Sequence, residues 1–137
     1  MTERAPPMPD DVAEAFARFP PPARRTLMKV RARIFALAEE TGTGPLTETL
    51  KWAEPAYLTE AARTGTTIRL GLSGEEPAVF FNCQTTLVDG FRRDFPDAFG
   101  YLGNRALLPG AAADHPALAL CLSRALTYHR DKRRARA

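Results

Sequence analysis

The chain has 137 residues, 45% of them hydrophobic, a length and apolar content suited to one domain that buries roughly two thirds of its unfolded surface. Its formal charge is +3, yet residues 129–137, HRDKRRARA, hold five basic residues against Asp131, so residues 1–128 carry a net of −1. A nearly neutral body argues against sequence-specific nucleic-acid binding, and the lack of any run of about 18 apolar residues argues against a membrane-spanning helix.

Residues 1–10, MTERAPPMPD, are proline-rich and without the apolar run of a secretory leader. Two cysteines, Cys83 and Cys121, have no C-x-x-C spacing. The expectation is a reduced, cytoplasmic protein forming one domain over 1–137, with flexible ends at 1–9 and 130–137. The first helix is DDVAEAFARF, with Asp10 as its N-cap and Val12, Phe16 and Phe19 near one face. Pro20, Pro21 and Pro22 end it. The next, PARRTLMKVRARIFALAEET, repeats Leu27, Val30, Ile34, Leu37 and Ala38 at helical spacing and places Lys29, Arg31, Arg33 and Glu40 on its other faces.

LKWAEP, Leu50 to Pro55, reads as a turn into a first strand, AYLT, because Pro55 disfavours helix at Glu54. TTIRLGL and AVFFNC then alternate with period two: Ile68, Leu70, Leu72, Val79, Phe81 and Cys83 on one side, Arg69, Phe80 and Asn82 on the other. SGEEP between them reads as a hairpin connection and accounts for Gly71 and Gly74. A helix capped by Thr85 or Thr86, with Asp89 completing a capping box, buries Leu87, Phe91 and Phe95. FGYL and RALL flank Gly103–Asn104, a pair that favours tight hairpins. A last helix starts after Asp114 and buries Leu118, Cys121, Leu122 and Ala125. The sum is an α+β domain on a mostly antiparallel five-stranded sheet, in the order α-α-β-β-β-α-β-β-α.

No phosphate-binding glycine loop, dinucleotide fingerprint or nucleophile elbow is present. His115, Cys121 and His129 are six and eight residues apart, without metal-ligand spacing, and Glu48, Glu54 and Glu60 form no recognisable acid/base pair. No cofactor or metal is expected. What remains is the second face of the sheet, where Arg69 joins Phe80 and Asn82 by alternation, with Trp52, Glu54 and Tyr57 at the neighbouring strand. A guanidinium among aromatic rings suits a small anionic or amide-bearing ligand, because arginine grips planar oxyanions bidentately and the rings exclude water. The structural alternative has Trp52 and Tyr57 filling the core, Arg69 pairing with Glu54, and Asn104 serving only the turn.

ETLKWAEPAYLT, TGTTIRLGL, FFNCQTTLVDGFRRDFPD, YLGNRALL and ALTYH, in order from Glu48 to His129, resemble the YdhG-like family of small bacterial domains of unknown function. The resemblance implies a compact antiparallel sheet backed by helices, and for some relatives a comparison with frataxin-type iron handling. Its recurring positions fall on Lys51, Trp52, Glu54, Pro55, Tyr57, Thr66, Arg69, Asn104 and Arg105. The iron comparison fits poorly, because the acidic pairs Asp10–Asp11, Glu39–Glu40 and Glu75–Glu76 are too sparse for a ridge of hard oxygen ligands. The expected function is non-catalytic binding of a small polar or anionic ligand between the first strands and the final hairpin. The expected site is Lys51, Trp52, Glu54, Tyr57, Arg69, Phe80, Asn82, Asn104 and Arg105. Iron handling, and a protein-interaction or regulatory module using the basic tail, are the alternatives.

Overall fold

Five helices and one six-stranded antiparallel sheet make up the residues that the computed structural model describes, 5–136. The helices are α1 (Asp10–Ala17), α2 (Pro21–Thr41), α3 (Leu87–Asp94), α4 (Pro116–Leu126) and α5 (Tyr128–Arg136). The strands are β1 (Thr47–Lys51), β2 (Glu54–Leu58), β3 (Ile68–Ser73), β4 (Glu76–Phe81), β5 (Gly100–Leu102) and β6 (Ala106–Leu108), in the spatial order β1-β2-β3-β4-β6-β5. No helix among the described residues is long and apolar enough to cross a membrane.

The apolar stripes of α1 to α4 and the inward residues of the sheet share one core. It includes Leu27, Val30 and Ile34 of α2, Ile68, Leu70 and Val79 of the central strands, and Leu118, Cys121 and Leu122 of α4. The opposite face of the sheet has its own small cluster, Ala78, Phe80 and Ala106 flanked by Leu102 and Leu108, which no helix residue joins among the described residues. The domain is therefore two layers, with one sheet face left for other uses.

Two expectations of order are corrected. The sheet has six strands rather than five, because Thr47–Lys51 pairs with β2 from Thr47↔Leu58 to Lys51↔Glu54. The reason it escapes a hydrophobicity pattern is that one of its inward residues is the carboxylate of Glu48. That carboxylate meets Arg31, which lies off the apolar stripe of α2 and is yet only 5% exposed. Arg31 Nε and Nη2 donate to Glu48 at 2.6 and 2.9 Å, Tyr57 OH donates to Glu48 at 2.8 Å, and Arg31 Nη2 also reaches the Pro6 carbonyl at 2.8 Å. The Glu48 carboxylate beside it raises the pKa of Arg31 and so keeps the guanidinium charged.

The closing helix is two helices. Loop 59–67 intrudes at the junction: Thr66 N donates to the Ala125 carbonyl at 2.9 Å, and His129 N and Arg130 N both donate to the Thr64 carbonyl, at 2.8 and 2.9 Å. Those donors and that acceptor leave the helical ladder for the loop, and α4 ends. The loose end expected at 130–137 is helical as far as Arg136, and of the end expected at 1–9 the described part supplies Pro6 to Arg31 and packs Met8 on the core. Residues 1–4 and 137 lie outside the described residues.

Helix starts differ in detail. Pro9, not Asp10, holds the cap position of α1; Asp10 and Asp11 sit in its first turn, where their charge suits the dipole. Thr86 precedes α3 without a side-chain cap, and Asp89 pairs with Arg92 at 3.2 Å instead of closing a capping box. α4 starts after Asp114 as expected and is capped by His115, its Nδ1 accepting from Ala117 N at 3.0 Å.

Burial has a consequence at high pH. It raises the Tyr57 phenol above its ordinary 10.0, pushes Tyr101 up to about 12, and pushes the Cys121 thiol from 9.0 up to about 12. In each case the unfolded chain gives up its proton at lower pH than the folded one. The stability these three groups contribute is therefore fully present below about pH 9 and is lost as pH rises towards 12. Urea midpoints measured from pH 7 upwards should stay level and then drop, and in Cys121→Ala the drop should begin nearer the tyrosine value. An onset unmoved by that substitution would assign the loss to other groups.

Candidate functional site

Pairing across the sheet sets out the open face residue by residue. Thr49 faces Ala56, Ala56 faces Arg69, Arg69 faces Phe80, Phe80 faces Ala106 and Ala106 faces Leu102, one row through all six strands. Strand alternation thus sends Arg69 and Phe80 to the side away from the helices, and the guanidinium lies 4.7 Å from the Phe80 ring centre. Glu54 Oε1 accepts from Arg69 Nε at 2.7 Å, with both side chains about a quarter exposed, at 26% and 28%. Gly71 makes this pairing fit. It sits inside β3, not in the hairpin turn, and a Cβ there would strike the Glu54 carboxylate.

The β1–β2 connection is only Trp52–Ala53, and both residues have positive φ, 55° and 61°. Such a two-residue turn matches the twist of a hairpin but is normally supplied by Asn-Gly. A tryptophan there is unusual, since left-handed backbone costs L-residues roughly 1–2 kcal/mol. The ring is 86% exposed, so packing does not compensate. We expect Trp52→Asn to stabilise the fold by about 1 kcal/mol and raise Tm by about 4 °C in a domain of this size. A lower Tm in thermal denaturation would mean that the ring is held by contacts of its own.

Trp52, Lys51, Arg69, Phe80, Asn82 and Arg105, with Thr67, Phe81 and Cys83, line one cleft of about 360 Å³. Its far wall is fixed by two bonds between the β5–β6 loop and the end of β4: Phe81 N donates to the Arg105 carbonyl at 2.8 Å, and Asn104 Nδ2 donates to the Cys83 carbonyl at 2.9 Å. Asn82 Oδ1 accepts from Gln84 N at 2.9 Å, which leaves its amide nitrogen for other partners. Electrostatically the cleft has three cations, Lys51, Arg69 and Arg105, against the single carboxylate of Glu54.

The expected site residues separate into three roles. Lys51, Trp52, Arg69, Phe80, Asn82 and Arg105 line the cleft. Glu54 and Asn104 support it, the first by holding Arg69 and the second by bracing the loop. Tyr57 does not belong: it is fully buried on the helix side, where it bonds Glu48 and meets the Phe35 ring edge-on. The register excludes it, since Ala56 lies opposite Arg69 and Tyr57 opposite the inward Ile68. Thr67 and Cys83 were missed. Cys83 is exposed rather than an inward strand residue, because β4 ends at Phe81 and Asn82 begins a turn. The run Asn82-Cys83-Gln84-Thr85-Thr86 carries that turn signal.

No group of three or more His, Cys, Asp or Glu side chains among the described residues is placed to hold a metal ion. Compared with family models, with curated proteins and with solved structures, the chain finds no match.

Proposed function

We propose that this chain is a non-catalytic binding domain that takes a small anionic ligand in the cleft on its open sheet face. The observation that carries the reading is Arg69. Its Nε is held by Glu54 and its plane rests on Phe80, while its two terminal nitrogens have no hydrogen-bond partner among the described residues. A guanidinium held in this way offers its end-on edge to an oxyanion with little conformational entropy left to lose. The same reading takes the chain as a YdhG-like domain of the cytoplasm. In its favour, the KWAEP, TIRL and GNR segments that carry the resemblance frame this cleft, and both cysteines are free thiols. The acidic pairs offered for iron form no cluster, so the iron reading has no such support.

Trp52 is the chain's single tryptophan, so its emission reports on this cleft alone. Titration with small phosphates and aromatic carboxylates should change that emission saturably. Arg69→Ala should weaken binding about 10- to 100-fold, as expected for a charged hydrogen-bonding group, with the fold intact by circular dichroism. Equal binding by parent and variant would remove Arg69 from the site, and the reading with it.

A further inference from the structure

We infer that the ligand of this cleft is a phosphate monoester carried on a planar ring, the chemistry of a mononucleotide. The inference rests on the cleft being a ligand site and names what the site would select. Three features of the lining carry it.

The first is the balance of donors and acceptors. Lys51 Nζ, the Arg105 guanidinium, the terminal nitrogens of Arg69 and the amide nitrogen of Asn82 are donors with no partner among the described residues, while Glu54 Oε1 accepts from Arg69 Nε and the other oxygen of that carboxylate lies over Gly71. The ligand must therefore be rich in acceptors. The second is charge. Three cations and one carboxylate leave the lining at +2. A monocarboxylate neutralises half of that, whereas a phosphate monoester carries about −1.5 to −2 at pH 7 on three acceptor oxygens.

The third is the choice of ring. The Phe80 face is already covered by the Arg69 guanidinium, so the flat surface open to a ligand is the indole of Trp52, 86% exposed at the lip. Nucleobases stack on such a ring whatever their sequence identity. Asn82 Oδ1 accepts from Gln84 N, so one of its two acceptor positions, together with the amide nitrogen, is left for a base edge.

The test is a titration of the intact chain with adenosine 5′-monophosphate, adenosine, inorganic phosphate and benzoate, read by Trp52 emission and by calorimetry. The nucleotide should bind at least about tenfold more tightly than any of the other three, ring and phosphate each adding a contact. Arg105→Ala should weaken the nucleotide and leave adenosine unchanged. Trp52→Leu, at an exposed position where folding is not at risk, should bring the nucleotide down to the affinity of inorganic phosphate. Benzoate binding as tightly as the nucleotide would overturn this inference and leave the anion-binding cleft standing. No binding of any of the four would overturn both.

Discussion

Gly65→Ala is expected to destabilise the domain by about 3 kcal/mol, at the upper end of what overpacking costs. Gly65 lies in loop 59–67 with its Cα against the carbonyls of Ala125 and Leu126, and a Cβ would run into both. The obstacle is backbone, which cannot swing aside as a side chain does. Relief requires the loop to lift, and lifting breaks the bonds from Thr66 N to Ala125 and from His129 N and Arg130 N to Thr64. Because Thr67 belongs to both the loop and the cleft, the variant should also weaken ligand binding wherever it remains folded. Urea denaturation decides the matter: a loss under about 1 kcal/mol would mean that the loop docks loosely and does not end α4.

Arg31→Met should cost about 3–5 kcal/mol, the range for leaving one member of a buried ion pair behind. The side chains of Arg31 and Glu48 are each only 6% exposed, and the Tyr57 hydroxyl shares the same carboxylate. Removing the guanidinium strands that carboxylate among the rings of Phe35 and Tyr57. The loss should not be additive. In Arg31→Met/Glu48→Met/Tyr57→Phe no polar side chain of this cluster is left behind without its partner, and the exposed Pro6 carbonyl can turn to water, so most of the stability should return. A loss of only about 1 kcal/mol in the single variant, as in an exposed pair, would show that water reaches the cluster.

Both sites are where a reading of the residues in order goes astray. Arg31 sits in a polar run of α2 that looks solvated, and Glu48 breaks the alternation that would have revealed β1. Each is explicable only by the other, across a separation of 17 residues. Gly65 resembles any loop glycine, and Gly71 any hairpin glycine, until the carbonyls and the carboxylate beside them are known. In the cleft, the alternation of TIRLGL and AVFFNC was enough to put Arg69 with Phe80 on one face. It was not enough to stop that face at Asn82, where a turn carries Cys83 into the lining.

What the residues determine alone are the segments with a local period, the stripe of Leu27, Val30 and Ile34 and the alternation of β3 and β4, and the place of the turn at Gly103–Asn104, although the connection between β5 and β6 runs on through Arg105. Periodic burial is a property of neighbouring residues, so it survives without knowledge of the partner. Only the tertiary structure decided the sixth strand, the break between α4 and α5, and the separation of Tyr57 from the cleft. In each case the deciding energy is a charge or a hydrogen bond met from a distant segment, and nothing in the local run of side chains records it.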